Sequence, residues 1–155
     1  MALPKRKSIR LPSAVYSEPN RAFSITIATS ARRPVFEDQD FGLECIEILA
    51  NLRRTLSLRV FAFCLMPDHV HLLLSTSERI RLPEIIGRWK SLCYQARRRR
   101  GRKEPFWQRS FFDHGLRDGE DPRTAGRYIL ENPVRAGLVA DFHDYALCGS
   151  FEFEL

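Results

Sequence analysis

An α+β domain, an antiparallel sheet with its helices gathered on one face, is the fold class this sequence predicts. Three patterns carry it. Ala22 to Thr29 alternates apolar and polar residues with period two, the mark of a strand with one buried face. Two longer stretches, from Phe41 and from Leu82, repeat apolar residues at helical spacing. Between them, the apolar runs Val60–Met66 and His69–Leu74 are separated by Pro67-Asp68, which reads as a hairpin turn.

Residues 1–20 carry Lys5, Arg6, Lys7 and Arg10 among three prolines and read as an extended basic arm. Residues 21–155 then form a single domain. In its first strand Phe23, Ile25 and Ile27 share the buried face, and Ser24, Thr26 and Ala28 share the other. Pro34 ends that pattern. Phe41, Cys45, Ile48, Leu49, Leu52 and Leu56 mark a first helix that covers the apolar face.

Residues 58–66 are apolar on both faces, as suits a central strand, and 69–76 form its hairpin partner. Leu82, Ile85, Ile86, Trp89, Leu92, Cys93 and Ala96 stripe a second helix, with Pro83 in its first turn. Its far end runs into Arg97, Arg98, Arg99, Arg100, Gly101, Arg102 and Lys103. Such a run suits a solvated helix end or a phosphate backbone.

Ser110 to Arg117 is a further strand, with Asp113 and His114 on opposite faces. Asp121-Pro122 is a helix start, Asp as the cap and Pro in the first turn. That helix is expected to reach Asn132, with Pro133 stopping it and Tyr128 and Asn132 on one face. A last strand is expected near Ala146–Phe153. The order strand, helix, strand, strand, helix, strand, helix resembles a ferredoxin-like split βαβ. Ser24, Thr26, His69 and His71 would then lie together on the open face.

Composition narrows the function. The 155 residues carry a net charge of +6, most of the positive side being arginine. Arginine forks onto phosphate oxygens and stacks on bases, which favours a nucleic-acid partner. No apolar run approaches the ~20 residues that span a bilayer, so a membrane role is excluded and the cytoplasm expected. Cys45, Cys64, Cys93 and Cys148 are scattered through apolar patterns, as reduced buried thiols would be.

The chemistry is concentrated in the hairpin. His69 and His71 are two apart on a strand and project from the same face. Two neutral imidazoles so placed are able to share one metal ion. Tyr128 has a carboxamide, Asn132, one helical turn later.

Three segments together carry a resemblance: Met66-Pro-Asp-His-Val-His71-Leu-Leu-Leu, Phe106-Trp-Gln-Arg-Ser-Phe-Phe-Asp-His114, and Arg127-Tyr128-Ile-Leu-Glu-Asn132-Pro-Val-Arg135-Ala-Gly-Leu-Val139. In this order they resemble the REP-associated tyrosine transposases. These are single-tyrosine members of the HUH endonuclease superfamily, related to the transposases of IS200-type elements. The resemblance implies an HUH endonuclease (RRM-like) fold, Tyr128 as nucleophile, and His69, His71 and Asn132 as ligands of Mg²⁺ or Mn²⁺. It implies transposition of DNA through a 5′-phosphotyrosine, on single-stranded DNA with a hairpin from a repetitive extragenic palindrome. Arg135, within the third segment, joins the basic arm and the run Arg97–Lys103 as a candidate DNA contact.

The chemistry agrees with that assignment. Anionic oxygens shield a phosphodiester from nucleophiles, and a divalent cation would withdraw that charge. A phenol, with a free pKa of about ~10, needs such help. Two other readings use the same residues: a module that holds single strands without cutting, and a phosphoesterase that uses water, with Tyr128 structural. Monomer and homodimer remain equal alternatives from the sequence.

Overall fold

The computed structural model describes residues 21–117 and 119–154. The elements are β1 (Ala22–Ala28), α1 (Gln39–Leu56), β2 (Arg59–Met66), β3 (His69–Ser75), α2 (Leu82–Arg99), β4 (Phe112–Gly115), α3 (Pro122–Leu130), α4 (Asn132–Arg135) and β5 (Cys148–Gly149). Short 3-10 turns cover 30–32, 35–37 and 142–144. The sheet order is β4-β1-β3-β2-β5 with every pair antiparallel. The first four strands have the ferredoxin-like arrangement, and β5 extends the β2 edge. The basic arm, with Lys5, Arg6, Lys7 and Arg10, lies outside the described residues.

Alternation in β1 and β3 sorts the side chains as the pattern requires. Phe23, Ile25 and Ile27 join Val70, Leu72 and Leu74 beneath α1 and α2, all fully buried. Trp89 of α2 fills the middle of this layer and donates its indole N–H to the Cys45 carbonyl at 3.0 Å. Each such side chain contributes on the order of 1.5–3 kcal/mol by leaving water. Helix α1 starts where the Asp38 side chain accepts from the Phe41 amide at 3.1 Å. It ends at Ser57, whose φ of 54° is left-handed.

The strand β2 is buried on both faces except at Arg59. Its register with β3 shifts between Val60 and Ala62, so a bulge takes up Phe61. Phe61, Ala62, Cys64 and Met66 then meet Leu73, Ile129, Leu130 and Phe142 in a second, smaller core. Helix α3 therefore lies on the face opposite α1 and α2, so the α+β sheet is as expected but its helices are divided between the two faces and not gathered on one. Gly126 lets α3 approach closely: a Cβ there would sit 3.3 Å from the Phe61 carbonyl oxygen and 3.4 Å from the Ala62 Cβ.

Three further expectations from the sequence are corrected. Helix α3 stops at Leu130, and Pro133 opens the short α4 instead of ending α3. Proline has no N–H to lose in a first turn, so it suits a restart as well as a stop. Asn132 and Tyr128 thus belong to different helices. The strand expected over Ser110–Arg117 is confined to Phe112–Gly115, and the one expected near Ala146–Phe153 to Cys148–Gly149. Cys45, Cys64 and Cys93 are buried and all four cysteines are free thiols. Among the described residues no helix is long and apolar enough to cross a membrane.

Candidate functional site

The site begins at the β2–β3 hairpin turn. Proline at 67 fixes a negative φ, so the turn cannot be the primed type that matches strand twist by itself. The loop after β1 braces it instead. The Thr29 amide and hydroxyl both donate to the Asp68 carbonyl, at 3.0 and 2.9 Å, and the Phe36 amide donates to the Pro67 carbonyl at 3.0 Å. The first residue after this clamped turn is His69.

Pairing with β1 places Thr26 opposite His71 and Ala28 opposite His69. The two imidazole rings lie 4.8 Å apart, nearly perpendicular at 88°. His69 Nδ1 donates to the Asp68 carboxylate at 2.6 Å, and His71 Nδ1 pairs with the Thr26 hydroxyl at 3.2 Å. Both Nδ1 atoms are thereby engaged, which fixes the rings and leaves each Nε2 for a ligand, as second partners of metal-binding histidines do. Burial, then the charges of His69, Arg135 and Arg32, pushes the His71 pKa down to about 4. His71 is consequently neutral, with a lone pair, at ordinary pH. Partial burial acts to raise the Asp68 pKa, but the His69 hydrogen bond and the charges of His69 and Arg32 outweigh it and hold the carboxyl low.

The cleft in front of His71 measures about 340 Å³ and reaches Ser24, Thr26, His114, Tyr128 and Asn132. Tyr128 is 67% exposed, unusual for a large aromatic side chain that adjoins a core. Its ring is capped by Arg135, whose guanidinium carbon lies 3.9 Å from the ring centroid. Arg135 also donates to the Tyr128 carbonyl at 2.8 Å, and Asn132 Nδ2 donates to the Ile129 carbonyl at 2.9 Å. Both side chains thus satisfy carbonyls that the end of α3 leaves open. The same bonds carry Asn132 into the cleft from α4, where a helix through residue 132 had been expected.

Whether these groups suit a metal is a question of donors. Among the described residues no three His, Cys, Asp or Glu side chains gather as a metal site. With two imidazoles in place, a neutral oxygen donor is needed to complete a protein-supplied set. The Asn132 amide, committed through its nitrogen, retains its oxygen for that purpose. Two imidazole nitrogens and a carboxamide oxygen are donor types that a divalent cation takes, with water filling the remaining positions.

Two cleft residues escape sequence reasoning. His114 is exposed and stands opposite Ser24 across the β1–β4 pair, with Phe112 opposite Thr26. Asp113, as expected, points to the other face and is buried. The alternation was readable, but which strand β4 would join was not. The run Arg97–Lys103 lies at the end of α2 across the sheet from the cleft. There Arg99 and Arg100 pair with Glu44 at 3.4 and 2.8 Å, and Arg98 lies over the Tyr94 ring.

Fold and cleft together define a class: ferredoxin-like α+β domains with a His-x-His strand and a tyrosine-bearing helix on the same sheet face. Within it, the chain belongs to the IS200-like transposase family, whose description, "Transposase IS200 like", matches residues 19–132. A REP-associated tyrosine transposase of Escherichia coli K12 is 27% identical over 97 residues, which cover 63% of this chain and 57% of that one. A Haemophilus influenzae protein provisionally named a REP-associated tyrosine transposase is 33% identical over 95 residues, 54% of each chain. The chain spans about half the length of these curated relatives. A solved REP-associated tyrosine transposase bound to a REP hairpin superposes with a TM-score of 0.70 at 21% identity, covering 96% of this chain and 82% of that one. At such identity the likeness speaks for the fold.

Proposed function

We propose that this chain is a metal-dependent single-stranded DNA endonuclease and strand transferase, a transposase acting through a 5′-phosphotyrosine on hairpin-bearing DNA. The observation that carries it is the exposed Tyr128 in one cleft with His71 and Asn132. The REP hairpin in the related structure supports that substrate class.

In this reading His69, His71 and Asn132 hold Mg²⁺ or Mn²⁺, which when bound draws charge from the scissile phosphate. Asp68 and Thr26 keep the imidazoles oriented. The Tyr128 hydroxyl loses its proton to solvent, its oxygen bonds to phosphorus, and the bond from phosphorus to the 3′-oxygen breaks. The 3′-oxygen leaves and takes up a proton. The new phosphotyrosine conserves a phosphoester, so the reverse attack by a 3′-hydroxyl rejoins a strand without ATP. Arg135, over the ring, places positive charge beside the reacting phosphate. Arg97, Arg98, Arg99, Arg100, Arg102 and Lys103, with the arm residues Lys5, Arg6, Lys7 and Arg10, are assigned to the DNA backbone.

The test is a single-stranded hairpin substrate labelled on the 3′ side of the cut, incubated with Mg²⁺ and then denatured. Label is expected on the wild-type protein and not on Tyr128→Phe, which removes one oxygen from an exposed ring. DNA binding without cleavage would favour the binding module. Cleavage without an adduct would favour attack by water.

A further inference from the structure

The arginines at the end of α2 enclose a second pocket of about 210 Å³. Pro34 and Phe41 form an apolar wall, and Arg97, Arg100 and Arg102 face one carboxylate, Asp38. Asp38 is already engaged as the cap of α1, and Arg100 is held by Glu44 at 2.8 Å. Arg97 differs. Its guanidinium lies 5.2 Å from the Phe106 ring centroid and 5.7 Å from that of Phe41. Its Nε is buried and has no hydrogen-bond acceptor among the described residues. Burial, then the charges of Arg102 and Arg33, lowers the Arg97 pKa, against the opposing pull of Glu104 and Asp38. A guanidinium oriented by two rings, crowded by cations and holding a spare N–H is prepared for an anion with several oxygens.

A basic path joins this pocket to the catalytic cleft around the end of the sheet. Arg32 Nε lies 4.0 Å from the Asp68 carboxylate that holds His69. Arg33 follows, donating to the Pro105 carbonyl at 2.7 Å, and its charge is felt at Arg97. Ala31 and Arg32 both have left-handed φ, 54° and 53°, which costs energy in a non-glycine residue. The strained turn sets two adjacent arginines at the corner between the two sites.

We propose that the pocket is a phosphodiester subsite for the strand bound in the cleft, held by Arg97 and Arg102, with Arg32 and Arg33 contacting the stretch between. This rests on the function proposed above and extends the DNA path to the helical side of the sheet.

The experiment uses hairpin-bearing single strands in which one phosphate at a time is replaced by neutral methylphosphonate. Wild type is expected to show two separate sensitive positions, the cut site and a second one where binding falls roughly ten-fold, the scale of a lost hydrogen-bonded charge contact. Arg97→Met keeps an unbranched chain between the rings. It is expected to bind unmodified DNA roughly ten-fold more weakly, to flatten the salt dependence by about ~0.7, and to become indifferent to the second methylphosphonate. Should Arg97→Met fail a melting control, the exposed Arg102→Ala carries the same coupling test. The proposal is overturned if no second position exists, or if its penalty persists in both variants. It is also overturned if inorganic phosphate raises the melting temperature of wild type but not of the variant while no DNA position couples, since the ligand is then free phosphate. A coupled phosphate without any adduct would sink the cleavage reading and leave the subsite standing. An adduct without coupling would do the reverse.

Discussion

The two faces of the sheet are built to opposite rules. Beneath α1 and α2, Phe23, Ile25, Ile27, Leu72, Leu74 and Trp89 are sealed from water, and the Trp89 indole N–H is paired with the Cys45 carbonyl. Across the same strands, Thr26 and His71 line an open cleft beside an exposed tyrosine, with the His69 ring 4.8 Å from that of His71. Only the part of this face nearer β2 is closed, by α3 and the C-terminal segment around Phe142. One face supplies cohesion, so the other is free to hold imidazoles that burial alone would disfavour. A one-residue slip of β3 would exchange the two sets, which is why the braced turn at Pro67-Asp68 matters to both.

The comparison breaks hardest at the histidines. Removing the outer partner of a metal-binding histidine typically costs 10–100-fold, so removing the histidine itself should cost at least about 100-fold in cleavage. His69→Ala with His71→Ala should therefore abolish measurable nicking, as EDTA should, while the melting temperature changes little. A double variant that nicks at the wild-type rate would remove the metal from this cleft.

Trp89→Ala is the counterpart on the sealed face. Emptying a fully buried tryptophan site and leaving the Cys45 carbonyl without its donor should cost about 3–5 kcal/mol. Urea unfolding measures it. Adduct formation by the fraction still folded should persist. Loss of activity in a variant that melts normally would mean that the faces are not separable in this way.

Sequence reading reached the two faces unequally, for a physical reason. Periodicity reports burial, and burial is what the α1–α2 face is made of, so Ile25, Leu49 and Trp89 were all legible. The hairpin was legible because Pro67-Asp68 interrupts two apolar runs. The cleft depends on contacts between distant segments, to which local pattern is blind. His114 enters it only because β4 joins β1, and Arg32 comes near Asp68 only through the loop in which residues 31 and 32 take left-handed conformations. Pro133 was ambiguous in principle, since proline ends one helix and begins another with equal ease. The family resemblance supplied what periodicity lacked for Tyr128 and Asn132, though it did not show that they sit on separate helices.

Gly126 is where the faces are coupled, and Gly126→Ala sharpens the contrast. The new methyl would press on the Phe61 carbonyl at 3.3 Å and the Ala62 Cβ at 3.4 Å, and backbone cannot swing aside. A better helix former gains up to about 1 kcal/mol, while overpacking costs about 1–3 kcal/mol. The net loss of stability should thus be near 1 kcal/mol. Cleavage should fall further than that implies, because α3 is displaced by a few tenths of an ångström with Tyr128 upon it. Equal changes in stability and activity would argue that α3 adjusts without moving the phenol.

The smallest effect is expected where the C-terminal segment ties itself to β2. Tyr145 donates its hydroxyl to the Leu65 carbonyl at 2.7 Å. Tyr145→Phe keeps the ring and removes that bond, at a cost of about 1 kcal/mol. Burial, then the nearby Cys64 and Cys148, raises the Tyr145 pKa to about 12 from an ordinary value of 10.0. The folded protein therefore holds this proton more tightly than the unfolded chain does. Stability from this source is complete below pH 10 and declines as pH rises towards about 12. Chemical denaturation at a series of alkaline pH values should show the wild-type advantage over Tyr145→Phe shrinking across that window. An advantage that stays constant, or grows, would mean that Tyr145 anchors the segment by packing alone. Adduct formation should be the same in both proteins at neutral pH, because this bond lies along the outer edge of β2 and not in the cleft.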